Sequence, residues 1–342
     1  MINFYKEDLS LAEAASLVSR ETGAHLEEMA QAAHALTTRR FGKVIKLYAP
    51  VYLSNECINS CLYCGFRGEG AIQRRTLSTL EAVAEARAVT SQGHRHILLV
   101  AGESPNEMPL DRICEIAQAI RPMAASLAVE VQPFDEAGYR KLRASGVDGV
   151  TLYQETYDER TYRAMHPAGP KAEYGSRGNA IHAAGAAGMR FLNIGALLGL
   201  FDWREETIAL IAHARQLMKR HWRSQVLVSV PRIRDCASGF TPPCPVSDRD
   251  LAQIICALRL ALPDCGISLS TREPPVLRDR LARLGVTQMS AGSSTEPGGY
   301  SKPRASGEQF HREDTRTAAE VAAMLTDSGF DPVWKDWDRN LI

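Results

Sequence analysis

A chain of 342 residues in which 45% of side chains are hydrophobic and 23% charged can build one large or two modest globular domains. Lysine plus arginine and aspartate plus glutamate each number 40, so no general attraction to nucleic acid or to an anionic membrane follows, and the expected partner is a small molecule. No apolar run is long enough to cross a bilayer, and Met1-Ile2-Asn3-Phe4-Tyr5-Lys6-Glu7-Asp8 lacks the makeup of a targeting peptide, so a cytoplasmic protein is expected.

From about Lys6 to Arg40 the pattern is helical and alanine-rich, a preamble that ends at Gly42. Val44 to Leu53 then reads as an apolar strand. Ser78 with Glu81 carries a capping-box signature for a helix running to about Gln92, and Gly93 closes it. The alternation continues with strands at Ile97–Ala101, Leu127–Val131, Gly149–Tyr153, Phe191–Leu198, Val226–Val230, Ile267–Ser270 and Val286–Met289. Helices are expected between them, over Leu110–Met123, Asp135–Ala144, Glu159–Ala187 with the insert His166-Pro167-Ala168-Gly169-Pro170, Glu205–His221, from Ser247, and around Val276–Leu284. A last helix covers Thr317–Thr326. Eight short buried strands alternating with helices predict an α/β fold, a closed (β/α)8 TIM-type barrel over residues 43–342, with residues 1–42 as an N-terminal helical extension. An open doubly wound sheet is the alternative.

Three of the eight cysteines, Cys57, Cys61 and Cys64, fall in the loop after the first strand. Three thiolates cannot pair off among themselves without leaving one over, but a short loop can bring them to three corners of one iron-sulfur cube, leaving the fourth iron open to a small molecule. A zinc site is the other use of such a loop. It normally takes four ligands from matched pairs, and here one C-x2-C pair stands with only the distant Cys114, Cys236, Cys244, Cys256 and Cys265.

In a barrel the active site lies at the C-terminal ends of the strands. Strand two ends in Gly102-Glu103. Glu130 and Gln132 lie two apart at the end of strand three, on one face that should point inward, where a charge must meet a ligand or an arginine. Strand four ends in Tyr153-Gln154-Glu155-Thr156-Tyr157, strand six in Ser229-Val230-Pro231-Arg232, and strand seven in Ser270-Thr271-Arg272-Glu273. Arg272 is read as an anion clamp, or as one half of an ion pair with Glu273 or Glu130. After strand eight comes the small-residue loop Met289–Tyr300, whose backbone N–H groups could line an anion or adenosine pocket.

C-x3-C-x2-C with an aromatic residue, Tyr63, before the last cysteine resembles the radical S-adenosylmethionine (SAM) superfamily. Tyr48-Ala49-Pro50-Val51-Tyr52-Leu53-Ser54-Asn55 narrows the resemblance to the aromatic amino acid lyases. These comprise the tyrosine lyases of thiamine thiazole synthesis and their hydrogenase-maturation relatives. The match runs from about Phe41 to Asp338 and closes on Pro332-Val333-Trp334-Lys335-Asp336-Trp337-Asp338. No cysteine follows Cys265, whereas the hydrogenase branch continues into a cysteine-bearing tail, and this argues against a second cluster.

The resemblance implies a [4Fe-4S] cluster on Cys57, Cys61 and Cys64, with SAM bound near Tyr63, Gly102, Glu103, Glu130, Gln132, Glu155 and Arg177. Gly102-Glu103 would meet the SAM ammonium and Arg177 the SAM carboxylate, although Gly178-Asn179-Ala180-Ile181-His182-Ala183 departs from the charged continuation usual in the family. Ser270 and Arg272 would clamp the substrate carboxylate, and Ser229 is a candidate partner for a phenol. The implied reaction is reductive cleavage of SAM, removal of hydrogen from the amine of tyrosine, and scission of Cα–Cβ to p-cresol and 2-iminoacetate. Tryptophan or another aromatic amino acid is the alternative substrate, and a loop merely stapled by metal the non-catalytic one. A flavodoxin or ferredoxin as electron donor and a thiazole synthase as consumer of the imine are the implied partners.

Overall fold

The structure is a computed structural model that describes residues 3–6, 8–234, 238–301 and 307–335. Cys236 and the segment Asp336-Trp337-Asp338 lie outside the described residues. The alanine-rich preamble is helical as expected and consists of three helices, α1 (Leu11–Ser16), α2 (Arg20–Gly23) and α3 (Leu26–Phe41). The breaks have local causes. Ser10 and Glu13 form a reciprocal capping box that starts α1, and the Ser19 side chain accepts from the Thr22 amide to restart the chain as α2.

After Gly42, strands and helices alternate in the expected order: β1 (Val44–Ser54), α4 (Thr79–Ser91), β2 (His96–Ala101), α5 (Leu110–Ile120), β3 (Ser126–Glu130), α6 (Glu136–Ala144) and β4 (Gly149–Thr151). There follow α7 (Glu159–Met165), α8 (Tyr174–Ala186), β5 (Phe191–Gly195), α9 (Trp203–Arg220), β6 (Gln225–Ser229), α10 (Asp248–Ala261), β7 (Gly266–Leu269), α11 (Pro275–Leu281), β8 (Gln288–Ser290) and α12 (Ala318–Asp327). The stretch expected as one long helix is split into α7 and α8 by its Pro-Gly insert, which ends in a tight turn at Pro170–Ala172. Capping boxes open α4, α10 and α12, each built from a Ser or Thr and the acidic residue three positions on.

Every strand pair is parallel, and β1 hydrogen-bonds both β2 and β8, which closes an eight-stranded barrel. A ninth strand, β9 (Asp331–Val333), was not expected from the sequence. It pairs with Val44–Lys46 of β1. Lys46 is matched to Gln288 of β8 and to Val333 of β9, so β9 uses the same edge of β1 that β2 occupies further along. A three-residue strand containing Pro332 carries almost no sequence signal, and its proline confines it to such a marginal position.

The period of two along each strand separates core from site. Ile45, Leu47, Ala49, Val51 and Leu53 of β1, with Leu99, Leu127, Val129, Leu192, Ile194 and Val228, are fully buried in the layer between strands and helices. Burial of this kind contributes about 1.5–3 kcal/mol for each large aliphatic side chain. The alternate residues Lys46, Tyr48, Pro50, Tyr52, Ala128, Glu130, Thr151 and Asn193 line a cavity inside the barrel. Among the described residues no helix is long and apolar enough to cross a membrane.

Candidate active site

β1 delivers the cysteine loop at its C-terminal end, and the loop is tied into one shape before any metal is considered. Asn55 clasps its return: the side-chain amide donates to Gln73 O at 2.9 Å and accepts from the Arg75 amide at 2.7 Å. Arg74 then gathers the turn's carbonyls, with Nη1 donating to Asn55 O (2.5 Å) and Phe66 O (2.9 Å) and Nη2 to Arg67 O (2.5 Å). A guanidinium suits this task because its five donors spread in a rigid plane. β2 closes against the loop at Gly102, where an added Cβ would stand 2.3 Å from Glu56 O and 3.1 Å from Cys57 Cβ. Only glycine admits this approach.

All seven described cysteines are free thiols. Within the loop, Cys64 Sγ accepts from the Phe66 amide at 3.4 Å, and Asn59 Nδ2 lies 3.8 Å from Cys57 Sγ. Burial, then the neighbouring Cys61, push the Cys64 thiol up to about 12, and burial raises Cys61 too. Crowded sulfurs of this kind are held as thiolates by cationic iron rather than by water. No three histidine, cysteine or acidic side chains among the described residues converge on a single ion position, and thiolates on three separate irons of one cube need not do so. The preformed loop and its N–H donors to sulfur therefore fit a [4Fe-4S] cluster.

Around this loop the structure assembles most of the residues singled out in the sequence. The Glu103 carboxylate accepts from Asn59 Nδ2 at 2.7 Å, while its carbonyl accepts from the Ile58 amide at 2.9 Å. Tyr63 OH meets His166 Nε2 at 2.7 Å. Glu155 adopts φ 71°, a left-handed backbone that a side chain with Cβ resists, and it is buried beside Lys171 Nζ at 2.6 Å. Burial pushes the Glu155 carboxyl up, but Lys171 and then Arg177 more than offset it and hold it below the usual range. Arg177, in α8, donates through Nε to the Tyr153 carbonyl. His166, which opens the insert before α8, and Lys171, which follows it, belong to this cluster and were given no role from the sequence.

Further into the barrel, Glu130 faces the cavity and makes no hydrogen bond among the described residues. Burial, then the charge of Glu155, raise it to about 7. Across the cavity mouth Arg272 stacks its guanidinium 3.5 Å above the Phe310 ring, and its backbone N–H lies 3.4 Å from Ser270 Oγ. Glu273, weighed in the sequence as its ion-pair partner, is instead engaged by Arg232 and Arg234, and no described carboxylate pairs with Arg272. Two residues lie elsewhere. Gln132 donates to Met108 O at 2.8 Å and does not line the cavity, and Ser229 sits in a side recess beside Tyr153, donating to Asn193 Oδ1 at 3.1 Å. The cavity measures about 120 Å³ on a scale where one water needs about 10–15 Å³, room for a ring-sized guest.

This geometry finds its counterpart in known proteins. Residues 51–211 match the radical SAM superfamily and residues 229–331 the Biotin and Thiamin Synthesis associated domain. The chain is 42% identical over 327 residues to the 2-iminoacetate synthase of Escherichia coli (strain K12), covering 95% of this chain and 87% of that protein. The chain belongs to the radical SAM superfamily and, within it, to the 2-iminoacetate synthase family. A second relative, the 2-iminoacetate synthase of Salmonella typhimurium, is 40% identical over 96% of this chain and 88% of its own length. The X-ray structure of the FeFe-hydrogenase maturase HydG from Carboxydothermus hydrogenoformans superposes with a TM-score of 0.89 at 41% identity, over 95% of this chain and 76% of that one. Membership of the radical SAM superfamily brings the [4Fe-4S] cluster and SAM as cofactors, and the cysteine loop has the donor set for the first.

Proposed function

We propose that this radical SAM protein is a tyrosine lyase that breaks Cα–Cβ of L-tyrosine to give 2-iminoacetate and p-cresol. The observation that carries the reading is the cavity between Glu130 and Arg272, in which a carboxyl and a guanidinium without hydrogen-bonded cationic or carboxylate partners of their own face one ring-sized space. An amino acid zwitterion complements that pair. Arg272, backed by Phe310 and beside Ser270, receives the carboxylate as a planar fork, and Glu130 receives the ammonium. The relatives' shared activity supports the same reading.

When bound, the reduced cluster and SAM supply the one-electron chemistry that takes hydrogen from the substrate. The chain's own residues orient and select. With the carboxylate fixed on Arg272, the amine is directed to the cluster end of the cavity, and proximity then decides which hydrogen is taken. Glu130, held near neutrality, can accept a proton from the ammonium and leave the amine neutral. The phenol lies among Thr151, Asn193 and Ser290, with Ser229 acting on it through Asn193. The hydrogen removed from tyrosine leaves on 5′-deoxyadenosine, and 2-iminoacetate and p-cresol account for the rest once the aryl fragment takes up one electron from the external donor and one proton.

A low-potential flavodoxin or ferredoxin as donor, and a thiazole synthase that takes the imine before water does, complete the proposal. Free thiols throughout the described chain suit a reducing, cytoplasmic setting. The test is anaerobic incubation of reconstituted protein with SAM, reductant and tyrosine, assaying 5′-deoxyadenosine, p-cresol and glyoxylate together. All three should rise in step. Deoxyadenosine without p-cresol would reject tyrosine and favour tryptophan, and no deoxyadenosine from protein with an intact cluster would overturn the enzyme reading.

A further inference from the structure

Residues 307–314 cross the open end of the barrel as a strap between the cysteine loop and Arg272. Gln309 is anchored on both sides through its main chain, its N–H donating to Thr295 O at 3.1 Å and its carbonyl accepting from the Gly65 N–H at 3.2 Å. A Cβ at position 65 would stand 2.6 Å from that carbonyl, so glycine inside the cysteine loop is what lets the strap approach. The side chain of Gln309 then spans Tyr52, whose hydroxyl donates to Oε1 at 2.7 Å, and Cys64, whose Sγ lies 4.0 Å from Nε2. Chemistry sets this orientation, because a flipped amide would turn its oxygen onto a thiolate. The next residue, Phe310, carries the Arg272 guanidinium on its ring. Consecutive residues thus touch a cluster ligand and the residue facing the substrate.

We infer that Gln309 is a positioning residue that raises the reduction potential of the cluster through Cys64, and that the strap reports occupation of Arg272 to the cluster. The second half rests on the tyrosine-lyase reading; the first does not. An N–H donor directed at a ligating sulfur stabilises the more negative, reduced cluster, so its presence makes reduction easier. A contact of 4.0 Å has room to tighten. When a carboxylate fixes Arg272, Phe310 is fixed with it, and the adjoining Gln309 amide closes on Cys64. The cluster then accepts its electron, passing from the 2+ to the 1+ state at the expense of an external one-electron donor, more readily with substrate in place. SAM is thereby spared from cleavage in an empty site.

The experiment is an EPR-monitored dithionite titration of the reconstituted protein without SAM, with and without tyrosine, on wild type, Gln309→Leu and Tyr52→Phe, with iron, sulfide and tyrosine binding measured on each. Gln309→Leu should keep its iron and sulfide and hold about threefold to tenfold less reduced cluster at a fixed potential, or about 30–60 mV at 59 mV per tenfold for one electron. Tyr52→Phe, which frees the amide without removing it, should shift part of the way. Tyrosine should raise the wild-type potential and leave that of Gln309→Leu unmoved although it still binds. A wild-type potential in Gln309→Leu with a full cluster overturns the tuning role, and should that variant lose its cluster, an unshifted Tyr52→Phe overturns it instead. Tyrosine that binds wild type without moving its potential overturns the coupling. Failure of tyrosine to bind wild type at all strikes the lyase reading and with it the coupling, while the substrate-free potentials still decide the tuning.

Discussion

The Tyr63 hydroxyl lies 2.7 Å from Nε2 of His166, whose Nδ1 lies 2.7 Å from the carbonyl of Tyr162. A carbonyl only accepts, so Nδ1 carries the proton, Nε2 accepts, and Tyr63 donates. Burial, then the charge of Lys171, push His166 down to about 3 from its ordinary 6.5. Between those values the unfolded chain binds a proton that the folded chain refuses, so this residue's contribution to stability falls as pH falls through that window. His166→Gln should flatten the acid-side loss of Tm between pH 6.5 and pH 4, read by thermal melts across that range. An unchanged slope would show that His166 takes up a proton in place.

Glu130 carries the opposite sign. Its folded value of about 7 lies above the ordinary 4.5, so the folded chain holds the proton longer, and stability is lost as pH rises through that interval. Glu130→Gln removes the loss, and its Tm should gain on that of wild type between pH 5 and pH 8. Its kcat/KM for tyrosine should fall about tenfold to a hundredfold, the value of one charge-assisted contact of about 1.5–3 kcal/mol, and the wild-type limb near pH 7 should vanish. A variant that turns tyrosine over with the wild-type pH profile would remove Glu130 from the chemistry.

The contrast between these two residues shows what the sequence makes legible. Cys57, Cys61 and Cys64 announce themselves because their spacing is local, and Glu130 because a period of two places it on the inward face with Ala128 and Ser126. The same period assigned Gln132 inward, but β3 ends at Glu130, and beyond the strand the alternation no longer governs direction. His166 meets Tyr63 across 103 residues and Gln309 meets Tyr52 across 257, so no window of sequence holds either pair. Arg74 carries no signal in the sequence, because its acceptors are main-chain carbonyls that no residue type marks. β9 is too short to show a period at all.

Arg272 tests the substrate clamp. Lysine keeps the charge but loses the planar fork and its stacking on Phe310. Arg272→Lys should raise KM for tyrosine about tenfold or more, with kcat/KM falling in step. Deoxyadenosine formation should slow, since the carboxylate no longer fixes the strap, and the p-cresol formed per deoxyadenosine should fall as well, since tyrosine is badly placed whenever SAM is cleaved. Coupled yields and an unchanged KM would assign the carboxylate to another residue.

Arg74 tests whether the cysteine loop is organised before its metal arrives. Removing its guanidinium strands the carbonyls of Asn55 and Phe66, while Arg67 O keeps only the Gly70 N–H. Buried acceptors left without partners cost about 1–3 kcal/mol each, reduced where water can reach them, so Arg74→Ala should destabilise the protein by about 2–4 kcal/mol. The barrel strands do not depend on this residue, and far-ultraviolet circular dichroism should stay that of wild type. The loss should concentrate in the loop, as iron and sulfide well below four each per chain after reconstitution and as faster amide exchange at Cys57 to Gly68. Arg74→Lys, with a single point of donation, should recover only part of the iron. Full cluster content in Arg74→Ala would mean that the metal folds the loop and that the arginine merely follows.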